Sequence, residues 1–239
     1  MTERLRIAVT ALTLNEIDGV RALLPHISDC ASLDVDEVFA VDGGSTDGTL
    51  DAYERYGVRV VAQRSRGRGE AMRLAARSTD VDAIIFFSPD GNEDWRDIPR
   101  FRPHLERGAD LVIASRMMAG AVNEEDQQLL RLRKWANNAF NLGANLAFRH
   151  EGPFITDSIN GFRGVKRHLL EALDLDAVGY TVEYQMTMRA LARRLNVVEF
   201  PTVEGQRIGG ETKAAAIPTG LRFVRCFADE LLRAARARR

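Results

Sequence analysis

The sequence predicts an α/β protein built on a mostly parallel sheet with helices on both faces. Three observations predict it. Short apolar runs rich in β-branched residues alternate with stretches of helical periodicity. Several of those runs end on polar residues at the place where a parallel sheet presents its ligands. With 45% hydrophobic residues over 239 positions, the chain has enough apolar side chain for a substantial core.

Leu5 to Ala11 reads as the first strand, and Val20, Leu23, Leu24 and Ile27 then recur at helical spacing. Val38 to Val41 reads as the second strand, running into the turn-rich stretch Asp42 to Gly48. Val58 to Ala62, Ala83 to Phe87 and Leu111 to Ala114 read as three more, with a helix beginning near Arg68 between the first two. After Gly120 the pattern shifts to long helices, about residues 126–148 and 183–195, with Val197 to Phe200 as a further strand. Ligands of open α/β sheets bind beyond the carboxyl ends of the strands, which singles out Asn15, Asp42, Arg64, Asp90 and Arg116.

The net charge of -1 carries no global basic field, so no nucleic-acid partner is expected and any anionic ligand must be held by a local cluster. Cys30 and Cys226 match no metal-ligand spacing and suit a reducing compartment. No run approaches the roughly 20 apolar residues of a membrane span, which predicts a cytoplasmic protein or one at the inner membrane face. Residues 216–239 read as a basic amphipathic helix appended to a domain of residues 1–215. Leu221, Val224, Phe227, Leu231 and Leu232 share one helical spacing and arginines surround them, so the segment reads either as a closing helix or as a peripheral membrane contact.

Three elements carry chemistry. Val41-Asp-Gly-Gly-Ser-Thr-Asp-Gly-Thr49 puts a carboxylate at a strand end before a hydroxyl-rich turn, suited to a base or ribose or to capping its own turn. Arg64-Ser-Arg-Gly-Arg-Gly-Glu-Ala71 is a basic glycine-bearing loop that opens a helix, as phosphate sites do. Phe86-Phe-Ser-Pro-Asp-Gly-Asn-Glu-Asp94 delivers Asp90 and Asn92, hard oxygen donors of the kind Mg²⁺ or Mn²⁺ prefers, to the end of a strand.

Together with Leu14-Asn-Glu16, Ala114-Ser-Arg116, Asp157-Ser-Ile-Asn-Gly-Phe-Arg163 and Gln206-Arg-Ile-Gly-Gly-Glu-Thr-Lys213, these motifs resemble, in order, the family 2 glycosyltransferases, especially the dolichol-phosphate mannose synthase-like branch. The resemblance implies a Rossmann-like GT-A fold and inverting hexosyl transfer from a nucleoside-diphosphate sugar, GDP-mannose favoured, assisted by Mg²⁺ or Mn²⁺. It puts Asn15, Glu16, Asp42, Arg64, Gly67 and Gly69 around the nucleotide-sugar, with Asp90 and Asn92 as metal ligands. It makes Asp90, Arg116 and Arg207 catalytic, and Arg116, Arg131, Arg133 and Lys213 the residues facing an acceptor phosphate. The family's D-x-D is Ser88-Pro-Asp90 here and its paired Asp is Asp42-Gly43, so either metal affinity is weaker than the family's or the metal rests on Asp90, Asn92 and the donor's own phosphates.

A hydroxyl acceptor needs a general base, whereas a phosphate is already an oxyanion at neutral pH. Where hydroxyl-using members carry an acidic pair this chain has Thr181-Val-Glu183-Tyr184, and Arg163 joins the cationic cluster. That pattern favours a polyprenyl phosphate acceptor. Transfer to a glycan hydroxyl with Glu183 as base, and nucleotide-sugar binding without turnover, are the alternatives. The four histidines lack ligand spacing, and Trp95 and Trp135 read as packing residues.

Overall fold

The structure, a computed structural model, describes residues 4–123, 132–209 and 216–237. Its frame is a seven-stranded sheet in the order β3-β2-β1-β4-β6-β5-β7. The strands are β1 (Ile7–Thr13), β2 (Glu37–Asp42), β3 (Arg59–Ala62), β4 (Ala83–Phe87), β5 (Leu111–Ser115), β6 (Arg163–Lys166) and β7 (Val197–Pro201). All are parallel except β6, which runs antiparallel between β4 and β5. The central strands β1, β4 and β5 are buried along their whole length, as strands covered on both faces must be.

Two apolar clusters line the two faces. One gathers Phe39, Met72, Phe86, Ile113 and Met186, the other Val9, Leu24, Tyr53, Phe87 and Phe101. Side chains of a strand alternate between faces, so neighbouring Phe86 and Phe87 feed opposite layers. The helices are α1 (Ile17–Ile27), α2 (Thr49–Arg55), α3 (Arg68–Arg77), α4 (Phe101–Glu106), α5 (Leu132–Phe148), α6 (Arg167–Ala172), α7 (Val182–Ala192) and α8 (Ala216–Ala237).

The first strand runs two residues further than its apolar pattern predicts, because Thr10 and Thr13 are buried within it. Strand β6 is absent from the sequence reading, since Arg-Gly-Val-Lys has neither an apolar run nor an alternation. Its Arg163 is wholly buried and donates to the carbonyls of Asn160 and Glu183. That corrects the expectation that Arg163 belongs to a phosphate-facing cluster. Burial lowers its pKa to about 10.

Helix α8 is packed on the domain. Phe223 and Phe227 meet Phe140 and Phe148 of α5, and Cys226 and Glu230 turn towards α7. Glu230 accepts hydrogen bonds from Arg189 at 2.9 and 3.0 Å and from Gln185 at 2.9 Å, all three side chains being buried.

Candidate active site

From β1 the chain steps outward through β2 to β3, then returns to place β4 on the other side of β1. That reversal opens a crevice at the carboxyl ends of β1 and β4, where ligands of such sheets bind. Asn15 and Glu16 follow β1, and Ser88, Asp90, Asn92 and Glu93 follow β4.

The loops after β1 and β2 are tied together. Asn15 donates its N–H to Ser45 Oγ at 2.8 Å, and its Oδ1 accepts from Thr46 N at 2.8 Å. Asp42, only 3% exposed, accepts from the backbones of Gly44 and Ser45 and from Ser45 Oγ. Its carboxylate therefore braces the turn, the capping role that the sequence left open beside nucleoside contact.

Arg207 closes the crevice from above. Its Nη1 lies 2.9 Å from Asp90 Oδ2, and its Nη2 lies 2.5 and 2.6 Å from the two oxygens of Glu16. One guanidinium thus bridges the loops on either side of the strand reversal. Its own segment is pinned there by Ile208 N donating to Asp90 O at 2.7 Å and Gly205 N to Asn92 O at 2.8 Å. Gly91 permits the approach: its φ is +92°, and a Cβ there would sit 2.5 Å from Ile208.

Behind Asp90 lies a second charged layer that the sequence reading missed. Glu93 accepts the N–H of Ser88 at 2.6 Å. Burial, with the charge of Asp90 beside it, pushes the Glu93 carboxyl up to about 8. Burial likewise raises the pKa of Asp90. Arg68, the last of the three arginines of the basic loop, turns inward, pairs with Glu183 and reaches Ser88 Oγ at 3.3 Å. Glu183 is 2% exposed and its Oε2 has no hydrogen-bond partner. Gly161 leaves the room: a Cβ there would lie 2.2 Å from an Arg68 nitrogen.

Arg116, expected to face phosphate, is instead held by protein carboxylates. It forms a fork with Asp157 at 2.8 and 3.0 Å and reaches Glu204 at 3.0 Å. Burial opposes its charge, and Asp157 and Glu204 more than reverse this, holding its pKa above the ordinary value. Its position ties β5 to the segment that carries Arg207.

Gly67 and Gly69 lie against a neighbouring segment. A Cβ at Gly69 would lie 1.9 Å from the Ala177 carbonyl and one at Gly67 2.4 Å from that of Val178, so both serve close packing of the 177–178 backbone. Arg64 and Arg66 stand exposed. Arg131 and Lys213 fall outside the described residues, and Arg133 lies in the first turn of α5.

The oxygen donors suit a hard divalent cation in part. Asn92 Oδ1 is buried without a hydrogen-bond partner and Asp90 adds a carboxylate, but no group of three or more His, Cys, Asp or Glu residues among those described forms a complete shell.

A crevice at a strand reversal, edged by Glu16, Asp90 and Arg207, stands where α/β proteins of this topology bind their ligands. The profile of the Glycosyl transferase family 2 matches residues 11–173, and the chain belongs to that family. It is 29% identical over 235 residues to a dolichyl-phosphate hexose transferase of Haloferax volcanii, covering 95% of this chain and 96% of that one. To an undecaprenyl-phosphate mannosyltransferase of Micrococcus luteus it is 29% identical over 224 residues, 87% of each chain. It spans 64% of the length of the Haloferax volcanii glycosyltransferase AglJ, with 28% identity over 208 residues and 85% of this chain covered. Among solved structures, glucosyl-3-phosphoglycerate synthase of Mycobacterium tuberculosis, in complex with Mn²⁺, UDP and phosphoglyceric acid, superposes with a TM-score of 0.73 at 23% identity. That match covers 96% of this chain and 78% of the other, and establishes the GT-A-type fold.

Proposed function

We propose that this glycosyltransferase moves a hexose, with inversion, from a nucleoside-diphosphate sugar to a polyprenyl phosphate, working from residues 1–215 at the cytoplasmic face of a membrane. The observation that carries the acceptor class is the state of Glu183. The one carboxylate offered as a base for a hydroxyl acceptor is sealed at 2% exposure and ion-paired to Arg68. A phosphate acceptor needs no such base. The names of the Haloferax and Micrococcus relatives support the same acceptor, and the latter supports mannose as the sugar.

In this reading Asn15, Glu16 and the exposed Arg64 hold the nucleoside end, while Asp42, Gly67 and Gly69 shape its walls. Asp90 and Asn92 hold Mg²⁺ or Mn²⁺ together with the donor's phosphates, the buried and unpartnered Asn92 Oδ1 being the feature that supports the assignment. The cation, when bound, supplies Lewis-acid charge to the departing diphosphate. Arg207 adds charge-assisted donors at the same end, since a guanidinium between two carboxylates is already oriented towards the crevice. Arg131, Arg133 and Lys213 complete the acceptor side, with Arg116 fixing the segment that carries Arg207.

The test is calorimetric titration of GDP-mannose and a panel of UDP-sugars with Mn²⁺ or Mg²⁺, on wild type and Asp90→Asn, followed by turnover on a short polyprenyl phosphate. Metal-dependent binding of one donor, weakened in the variant, and transfer to the phosphate are expected. Turnover on a glycan hydroxyl alone refutes the acceptor, and binding without any transfer identifies a nucleotide-sugar binding protein.

A further inference from the structure

Each nitrogen of the Arg207 guanidinium is engaged. Nη1 meets Asp90 Oδ2 at 2.9 Å, Nη2 meets both oxygens of Glu16, and Nε donates to the carbonyl of Gly209 at 3.2 Å. The same contact occupies Asp90. Its Oδ1 accepts the N–H of Asn92 at 3.1 Å and its Oδ2 faces Arg207, so both carboxylate oxygens already have a donor. A divalent cation arriving at that Oδ2 would meet a guanidinium there, and two cations sharing one carboxylate oxygen repel strongly at such range.

One positive charge therefore stands between two carboxylates brought together from either side of the strand reversal. Two residues from Asp90, the buried Asn92 Oδ1 has no hydrogen-bond partner. A divalent cation would supply both a second positive charge and a ligand position for a neutral oxygen.

Release of Asp90 needs no opening of the chain. The segment stays pinned by Gly205 N on Asn92 O and Ile208 N on Asp90 O, backbone bonds in which the guanidinium has no part. The Arg207 side chain keeps 21% of its surface exposed at the rim, so it can swing off Asp90 about its own side-chain torsions.

We infer that Arg207 holds the cation's place in the unliganded protein and yields Asp90 when a divalent metal binds, so that Arg207 sets the metal affinity of the site. The inference rests on the proposed assignment of the metal to Asp90 and Asn92. Apparent affinity for the metal is lowered by the share of molecules in which the guanidinium sits on Asp90. Once off Asp90, the guanidinium becomes available to the phosphates that accompany the metal, so one exchange prepares both charges of the donor site.

The experiment counts free Mn²⁺ by its electron paramagnetic resonance signal during titration of the full chain, without nucleotide or acceptor. Arg207→Met should tighten Mn²⁺ binding about tenfold or more, the worth of one charge-assisted hydrogen bond. Arg207→Lys should fall between that variant and wild type, because a single ammonium cannot fork across both carboxylates. Asp90→Asn in the Arg207→Met background should remove the gain. In the unaltered protein the Arg207 Nε–H resonance, assigned by its loss in Arg207→Lys, should move on titration with Mg²⁺. If Asp90→Asn alone weakens Mn²⁺ binding but neither substitution of Arg207 strengthens it, the metal site stands and the exchange is overturned. An Nε–H resonance that stays in place at saturating Mg²⁺ overturns it as well, even where the variants fold poorly. If Asp90→Asn changes nothing in either background, the cation binds elsewhere, and the metal assignment falls together with the inference.

Discussion

Replacing Arg68 by methionine should separate an architectural Glu183 from a catalytic one. In the native protein Glu183 is 2% exposed, Arg68 is its ion-pair partner, and the second carboxylate oxygen is already without a hydrogen bond. Removing one member of a buried pair strands the other charge, at a cost of about 3–5 kcal/mol. At about 2–4 °C per kcal/mol for a chain of this size, the melting temperature should fall by about 6–20 °C. Removing both charges, as Arg68→Met with Glu183→Gln, should recover most of that loss, because a neutral pair of similar volume fits the same space. Urea denaturation of the four proteins in the cycle, followed by circular dichroism, gives the coupling directly. A single-variant loss below about 1 kcal/mol refutes the burial argument. If Glu183→Gln abolishes turnover on a hydroxyl acceptor while leaving stability untouched, Glu183 is a base after all.

Glu93 should give the metal-free protein a distinct pH dependence. Its pKa is raised from 4.5 to about 8, so the folded state holds a proton that the unfolded state releases between those values, and stability falls as pH rises through that window. The slope is at most about 1.4 kcal/mol per pH unit, and it should vanish in Glu93→Gln when urea midpoints are compared at several pH values. Gly69→Ala should cost about 1–3 kcal/mol by calorimetry, because its Cβ would lie 1.9 Å from the Ala177 carbonyl. An unchanged melting temperature with weakened donor binding would return Gly69 to the nucleotide.

Much of the fold was legible because buried parallel strands announce themselves: Ala83–Phe87 is apolar at every position and its limits match the structure. The antiparallel β6 was not, since a four-residue strand with two cations is recognisable only once its neighbours exist. The site divides along the same line. Residues that follow a strand, such as Asn15 and Asp90, can be located from the strand. Residues whose role depends on a distant partner cannot. Three arginines alternate through Arg64 to Arg68, and only the partner Glu183, far along the chain, determines that Arg68 turns inward. Asp157 stood in a recognised motif and Glu204 in none, and their capture of Arg116 needed coordinates.

The motif Asp157-Ser-Ile-Asn-Gly-Phe-Arg163 then has a physical reading residue by residue. Asp157 forks Arg116, Asn160 donates to Ala114 O, Gly161 makes room for Arg68, and Arg163 fills the space under Glu183. None of these contacts reaches into the crevice, yet together they fix the loops that line it. The same logic bears on Ser88, where the family carries a carboxylate. Its N–H is held by Glu93 and its hydroxyl faces Arg68, so a carboxyl group and a cation still meet at the end of β4. The carboxyl absent from position 88 is supplied five residues later, from a side chain that burial keeps protonated up to about pH 8.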